Sequence, residues 1–281
     1  MLTRFFIMLM AVSSLSLNAW SQSPSGPLYE LRAYSSELGR QGDVLKLIEK
    51  GGMPFMSKHN LNFVAAWTPT DSKDERVYTL ISHKDKASCD SNWTAFQNDA
   101  GWKDVLQKSA VDGKKPVKSF ERIFLTTNDY SPAINVKEVG NRVFELRTYV
   151  ASKGNLDGLN ARFRNHTLKL FEKHGMTNIV YWSAAAGETL TCGKLLEALS
   201  PVGKAEAKID VNDPAAGNSL IYFIAHASED SAKASFDKFR LDADWDKARK
   251  ESEANAGGKS LTAEGGVKSL FLKPVSFSPL K

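Results

Sequence analysis

Cysteine is scarce in this sequence, with Cys89 and Cys192 the two among 281 residues. Neither a CxxC nor an HExxH motif occurs, so no zinc-type or redox spacing is present. No block of five like charges appears, and the net charge of +5 is mild for this length. Nucleic acid is therefore not an expected partner. Gly258-Lys259-Ser260 mimics the end of a phosphate loop, but Glu253 stands where the first glycine belongs, which rejects the motif. What is present is ordinary globular material, 42% apolar and 25% charged. The length suits one large domain or two of about 100–150 residues.

The first residues differ from the rest. Arg4 precedes an apolar run from Phe5 to Leu17, and Ala19-Trp20-Ser21 places small residues at positions −3 and −1 of a cleavage site. That combination predicts a secretory signal peptide over 1–21, cleaved near Ser21. The run is short of the roughly 20 residues that span a bilayer, and no cysteine follows to carry a lipid. The expected mature chain is a soluble, secreted or periplasmic protein with no membrane span. Export permits disulfides, yet Cys89 falls on a packed helix face and Cys192 in an insertion, so both are expected to be unpaired thiols.

An internal repeat organises the remainder. Tyr29-Glu30-Leu31-Arg32-Ala33-Tyr34 returns as Phe144-Glu145-Leu146-Arg147-Thr148-Tyr149, an offset of 115. The same offset carries Lys58-His59 onto Lys173-His174 and Trp67 onto Trp182. It then becomes 143, carrying His83 onto His226, Phe96 onto Phe239, Asp99 onto Asp242 and Trp102 onto Trp245. A final shift to 147 carries Phe124-Leu125 onto Phe271-Leu272 and Ser131-Pro132 onto Ser278-Pro279. The step from 115 to 143 places 28 additional residues between Trp182 and Leu220 of the second copy.

Each copy reads alike. YELRAY and FELRTY alternate as strands do. Leu156, Leu159, Phe163, His166 and Leu170 recur at helical spacing, and Gly175 stands where a helix ends. In the first copy Gly51, Gly52 and Pro54 are expected to kink or break the matching helix. Two short strands follow, then a helix carrying Trp93 and Phe96 or Phe236 and Phe239, then a closing strand. This β-α-β-β-α-β order predicts an α+β fold of tandem ferredoxin-like units. Their open sheet faces would pack together as a dimeric α/β barrel within one chain. The expected domains are 22–135 and 136–281, the second with a surface insertion at 183–218.

The chain resembles the NIPSNAP family. The resemblance rests on FELRTY (Phe144–Tyr149), RFRNHT (Arg162–Thr167), FEKHGM (Phe171–Met176), Tyr181-Trp182, Leu220–His226, the FxxDxxW element and Phe277-Ser278-Pro279. It is strongest in the second copy. It implies an α/β barrel and little about chemistry. The first copy departs from it, with Gly51-Gly52 where the second has His166-Thr167.

If Leu31 and Leu146 face the helices, then Glu30, Arg32, Tyr34, Glu145, Arg147 and Tyr149 face the barrel interior. Such inward charges must be paired or hydrated. They are either an ion-pair network that fixes the two halves in register, or the lining of a polar pocket for a small acidic or carbonyl-bearing ligand. His166 on the helix stripe and His174 in the last turn are candidate ligand contacts, but lie too far apart along the helix for one metal ion, and no metal is expected. His83 and His226 close matched strands and are expected to be structural.

The leading functional expectation is a small-molecule-binding or interaction module without cofactor, in which homo-oligomerisation stays open. The alternative is a monooxygenase-like oxidoreductase. It would be cofactor-free with polar aromatics such as Tyr149 or Tyr181, or would hold haem through His166, His174 or His226.

Overall fold

The computed structural model describes residues 26–111, 113–136, 140, 142–184 and 218–281. The expected leader, Cys192 and all but the ends of the insertion lie outside them. In the first half β1 (Leu28–Ser36) is followed by α1 (Gln41–Lys46), a π-helical turn (Leu47–Gly52) and α2 (Met53–Lys58). Then come β2 (Asn62–Pro69), β3 (Val77–His83), α3 (Lys86–Asn98), α4 (Ala100–Lys108) and β4 (Val117–Thr127). The second half runs β5 (Val143–Ala151), α5 (Leu156–Arg162), a second π-turn (Phe163–Thr167), α6 (Leu168–Lys173) and β6 (Thr177–Ala184). It continues with β7 (Ser219–His226), α7 (Glu229–Arg240), α8 (Ala243–Asn255) and β8 (Thr262–Pro274). None of the described helices is long and apolar enough to cross a membrane.

The eight strands close into an antiparallel barrel in the order β1-β3-β2-β8-β5-β7-β6-β4. The halves meet at two short seams. Trp67–Pro69 pair with Leu272–Pro274, and Leu125–Thr127 pair with Trp182–Ala184. The segment after each closing strand crosses to the other half. Ser278 Oγ accepts from the Ala66 amide at 3.0 Å, and Ser131 Oγ accepts from the Tyr181 amide at 2.9 Å. The repeated Ser-Pro pairs are thus latches at matched places.

The barrel interior is apolar and filled. Leu31, Trp67, Tyr78, Leu80, Ile123 and Leu125 from the first half join Phe144, Leu146, Trp182, Ile221, Phe223 and Leu272 from the second in one cluster. Trp67 stacks on Phe223 with ring centroids 4.8 Å apart and planes 18° from parallel. The expected strand faces are therefore reversed. Leu31 and Leu146 point inward, whereas Glu30, Arg32, Tyr34, Glu145, Arg147 and Tyr149 lie on the outer, helix-covered face. Alternation assigns residues to two faces but not to inside or outside. The charges sit where aromatic and histidine side chains can satisfy them, while the interior leaves the buried Trp67 and Trp182 indole N–H groups without a hydrogen-bond partner among the described residues.

Two helix expectations also change. Gly51, Gly52 and Pro54 do not break the first helix, because the chain passes through a π-turn there and Pro54 sits in the first turn of α2. Gly51 permits close packing, since a Cβ there would lie 2.6 Å from Val105 Cγ1 of α4. In the second half the π-turn advances the helix by an extra residue, so the apolar stripe moves from position 166 to Thr167 and Leu170. Thr167 is buried and His166 is exposed, contrary to its expected place on the stripe.

Candidate functional site

Glu30 is fully buried on the outer face of β1. Arg32 Nε donates to its Oε1 at 2.7 Å, Trp93 Nε1 of α3 donates to its Oε2 at 2.8 Å, and His83 Nε2 lies 3.0 Å from the same oxygen. Arg122 on β4 reaches within 3.6 Å. Burial pushes this carboxyl up, but His83, Arg32 and Trp93 outweigh it and hold it at about 2. The Arg32 guanidinium lies between the Trp93 ring at 3.7 Å and the Phe120 ring at 4.9 Å, and also bonds the Tyr34 hydroxyl at 3.3 Å. The first half thus uses its charges as a closed network.

The second half keeps the network's centre and loses its cover. Glu145 pairs with Arg147, whose Nε and Nη2 donate to the Tyr222 and Tyr149 hydroxyls, each at 3.0 Å. His226 Nε2 lies 3.0 Å from Glu145 Oε2. Burial works against the Glu145 charge, but His226 and Arg147 win and its carboxyl is held below the usual range. Where the first half has Trp93, the second has Phe236, which has no N–H to offer. Ser269, not an arginine, faces Arg147 across the ladder, as Arg122 faces Arg32. A cavity of about 400 Å³ lies here between α7 and the β5–β8 wall. Glu145, Arg147, Lys233, Phe236, Ser269 and Phe271 are among its lining residues.

Of the remaining candidates, His174 Nε2 lies 2.6 Å from Asp242, which also binds Lys173 and caps α8 through the Asp244 amide. The first half repeats this with His59 and Lys58 on Asp99, the N-cap of α4. The Lys-His pairs and the matched aspartates thus tie the end of one helix to the start of another, a role the spacing alone did not reveal. Tyr181 is buried, stacks on Tyr222 with centroids 4.9 Å apart, and donates to Asn178. Burial pushes the Tyr181 and Tyr222 phenols well above their ordinary value, so both stay protonated near neutrality. The histidines bond their partners through Nε2 at His174 and His226, and the barrel interior is filled. His166 opens on a cavity of about 170 Å³.

Glu30, His83 and Cys89 bring one donor atom each within 4.8 Å of one another. The carboxylate is already spent on Arg32 and Trp93, and two arginines beside it oppose a cation. Burial and the Glu30 charge push the Cys89 thiol up to about 12, so it enters this cluster protonated.

No protein of curated function matches the sequence. Among solved structures, an anthrone oxidase-like protein superposes with a TM-score of 0.52 at 12% identity, covering 91% of this chain and 94% of its own. That likeness shows the fold. A Lactobacillus acidophilus protein provisionally assigned as a monooxygenase gives a TM-score of 0.49 at 10% identity, covering 88% and 93%. A NIPSNAP family protein from Agrobacterium tumefaciens gives 0.34 at 19% identity, covering 38% of this chain and 98% of that one. The sequence model of the NIPSNAP family matches residues 29–132, the first half of the barrel. The chain carries a NIPSNAP domain over β1 to the segment after β4.

Proposed function

We propose that the protein is an exported small-molecule-binding module built from two ferredoxin-like units, with its ligand held between α7 and β5 of the second. The matched element order and the two four-strand runs of the barrel, β4-β1-β3-β2 and β8-β5-β7-β6, support the two-unit reading. The cavity beside Glu145 and Arg147 carries the functional one. The first half places an indole and a third charge over the same carboxylate–arginine pair, and the second half places Phe236 and Ser269 there. The wall combines Arg147, Lys233 and Arg240 with Glu145, Glu229 and Asp230 beside Ser269 and the Phe236 and Phe271 rings, which suits a small ligand that joins polar groups of mixed charge to an apolar face.

Transplanting the first half's residues tests this. The double variant Phe236→Trp/Ser269→Arg is expected to fold and to lose at least tenfold in affinity for a ligand identified by screening or copurification. Unchanged affinity would place the ligand elsewhere. Arg147→Ala should weaken binding similarly and also destabilise the fold, since it leaves Glu145 buried with one cationic partner fewer. Export is tested separately, by mass measurement of the protein from the extracytoplasmic fraction. A mature chain beginning near Gln22 is expected, and an intact Met1 would refute cleavage.

A further inference from the structure

A second cation in the same half has, among the described residues, neither a hydrogen bond at its Nε nor an ion pair within 4 Å. This is Arg162, which closes α5 and is 7% exposed. It lies over the Trp245 ring at 5.2 Å. Burial lowers its hold on the proton, but a guanidinium remains charged at any physiological pH. A buried, unpaired cation is costly, and native proteins pair it or neutralise it. The nearby acids are engaged elsewhere: Glu253 binds Arg249 at 3.0 Å and Glu251 lies 3.9 Å from Lys247.

Arg162 borders a cleft of about 170 Å³ between α5 with its π-turn and α8, together with Asn165, His166, Ala248, Glu251, Ser252 and Asn255, and the Glu251 carboxylate on this wall lies 3.9 Å from Lys247. The corresponding positions of the first half show how this place is filled when nothing binds. Leu47 stands for Arg162, Gly51 for His166 and Val105 for Ala248, by the same offsets that align the helices. Leu47 is buried, and Val105 packs so closely on Gly51 that no side chain fits there. The second half instead shortens the wall at Ala248 and puts a fork of donors at the cleft.

We propose that this cleft binds a small organic carboxylate, held by the Arg162 guanidinium with the Asn165 and Asn255 side-chain amides as hydrogen-bonding neighbours. The planar fork matches a carboxylate bidentately, and the cleft's size suits a molecule of few heavy atoms. The site is distinct from the cavity at Arg147 and stands whether or not that cavity is occupied.

The test uses the full mature chain with sodium acetate, succinate and benzoate, each against sodium chloride of equal ionic strength, and with inorganic phosphate as a separate arm. At a hundredfold excess over Kd, one or more carboxylates should raise the melting temperature saturably by about 5 °C or more. Arg162→Leu, which installs the first half's residue, should abolish that shift while melting at or above the wild-type temperature without ligand. Arg162→Lys, which keeps the charge but not the fork, should weaken binding at least tenfold by ligand-observed NMR, and supplies the comparison if the Leu variant does not fold. No shift beyond that of chloride, an equal shift in Arg162→Leu, or a response to phosphate alone would overturn the proposal.

Discussion

Replacing Glu30 with Ala is expected to cost about 3–5 kcal/mol of unfolding free energy. Arg32, only 6% exposed, would keep its charge without a carboxylate, and the Trp93 N–H would lose its acceptor. Equilibrium urea unfolding measures the loss. The same carboxylate sets an acid dependence whose sign is fixed. Its proton affinity is depressed from 4.5 to about 2 on folding, so its contribution is complete above about pH 4.5 and drains away as pH falls toward 2. Over that window the wild type should lose about 3 kcal/mol through this group. Glu30→Gln should start less stable and show a correspondingly flatter profile between these limits. Parallel profiles for the two proteins would place the acid sensitivity elsewhere.

Trp67→Ala should be comparably severe, at about 3–5 kcal/mol, because it opens a void at the centre of the barrel. Trp67 is fully buried and its ring contacts Phe223 and Phe144, both from the other half. Its loss is therefore felt by both halves at once. Calorimetry should show one transition for the wild type and one, at lower temperature, for the variant. Combined with Phe223→Leu, the cost should fall short of the sum of the single changes by more than about 0.5 kcal/mol. Two separate transitions, with only the first shifted, would mean that the halves unfold independently and that the shared core matters little.

Much of the architecture was legible because it was written twice. Offsets of 115, 143 and 147 located the matching strands and helices, and the Ser131 and Ser278 latches fell on the predicted matched pairs. Period-two alternation separated Glu30 and Arg32 from Leu31 correctly, but carried no information on which set faced the barrel axis. That depended on whether the interior would be wet, and Trp67, Trp182, Phe144 and Phe223 together fill it. His166 was misplaced because helical spacing was read at a constant pitch, and a π-turn is invisible to that reading. The separate helix after Asp99 and Asp242 was also missed, although a matched aspartate three residues before a matched tryptophan was the available signal for an N-cap. Arg162 could have been found by comparing the copies at non-matching positions: a leucine and an arginine at the same helical site is the kind of difference a shared fold does not require.

The two seams have a consequence for any shortened form of the chain. Each joins the halves through only three residue pairs, at Trp67–Pro69 and Leu125–Thr127 on the first side. A fragment ending near Pro132 would retain β4-β1-β3-β2 but leave both outer strands with unsatisfied backbone groups, beside an uncovered sheet face carrying Leu31, Trp67, Tyr78 and Leu80. Open strand edges and a bare apolar face together favour pairing with a like surface. Such a fragment should migrate as a self-associated species, and its dissociation on dilution should coincide with its unfolding.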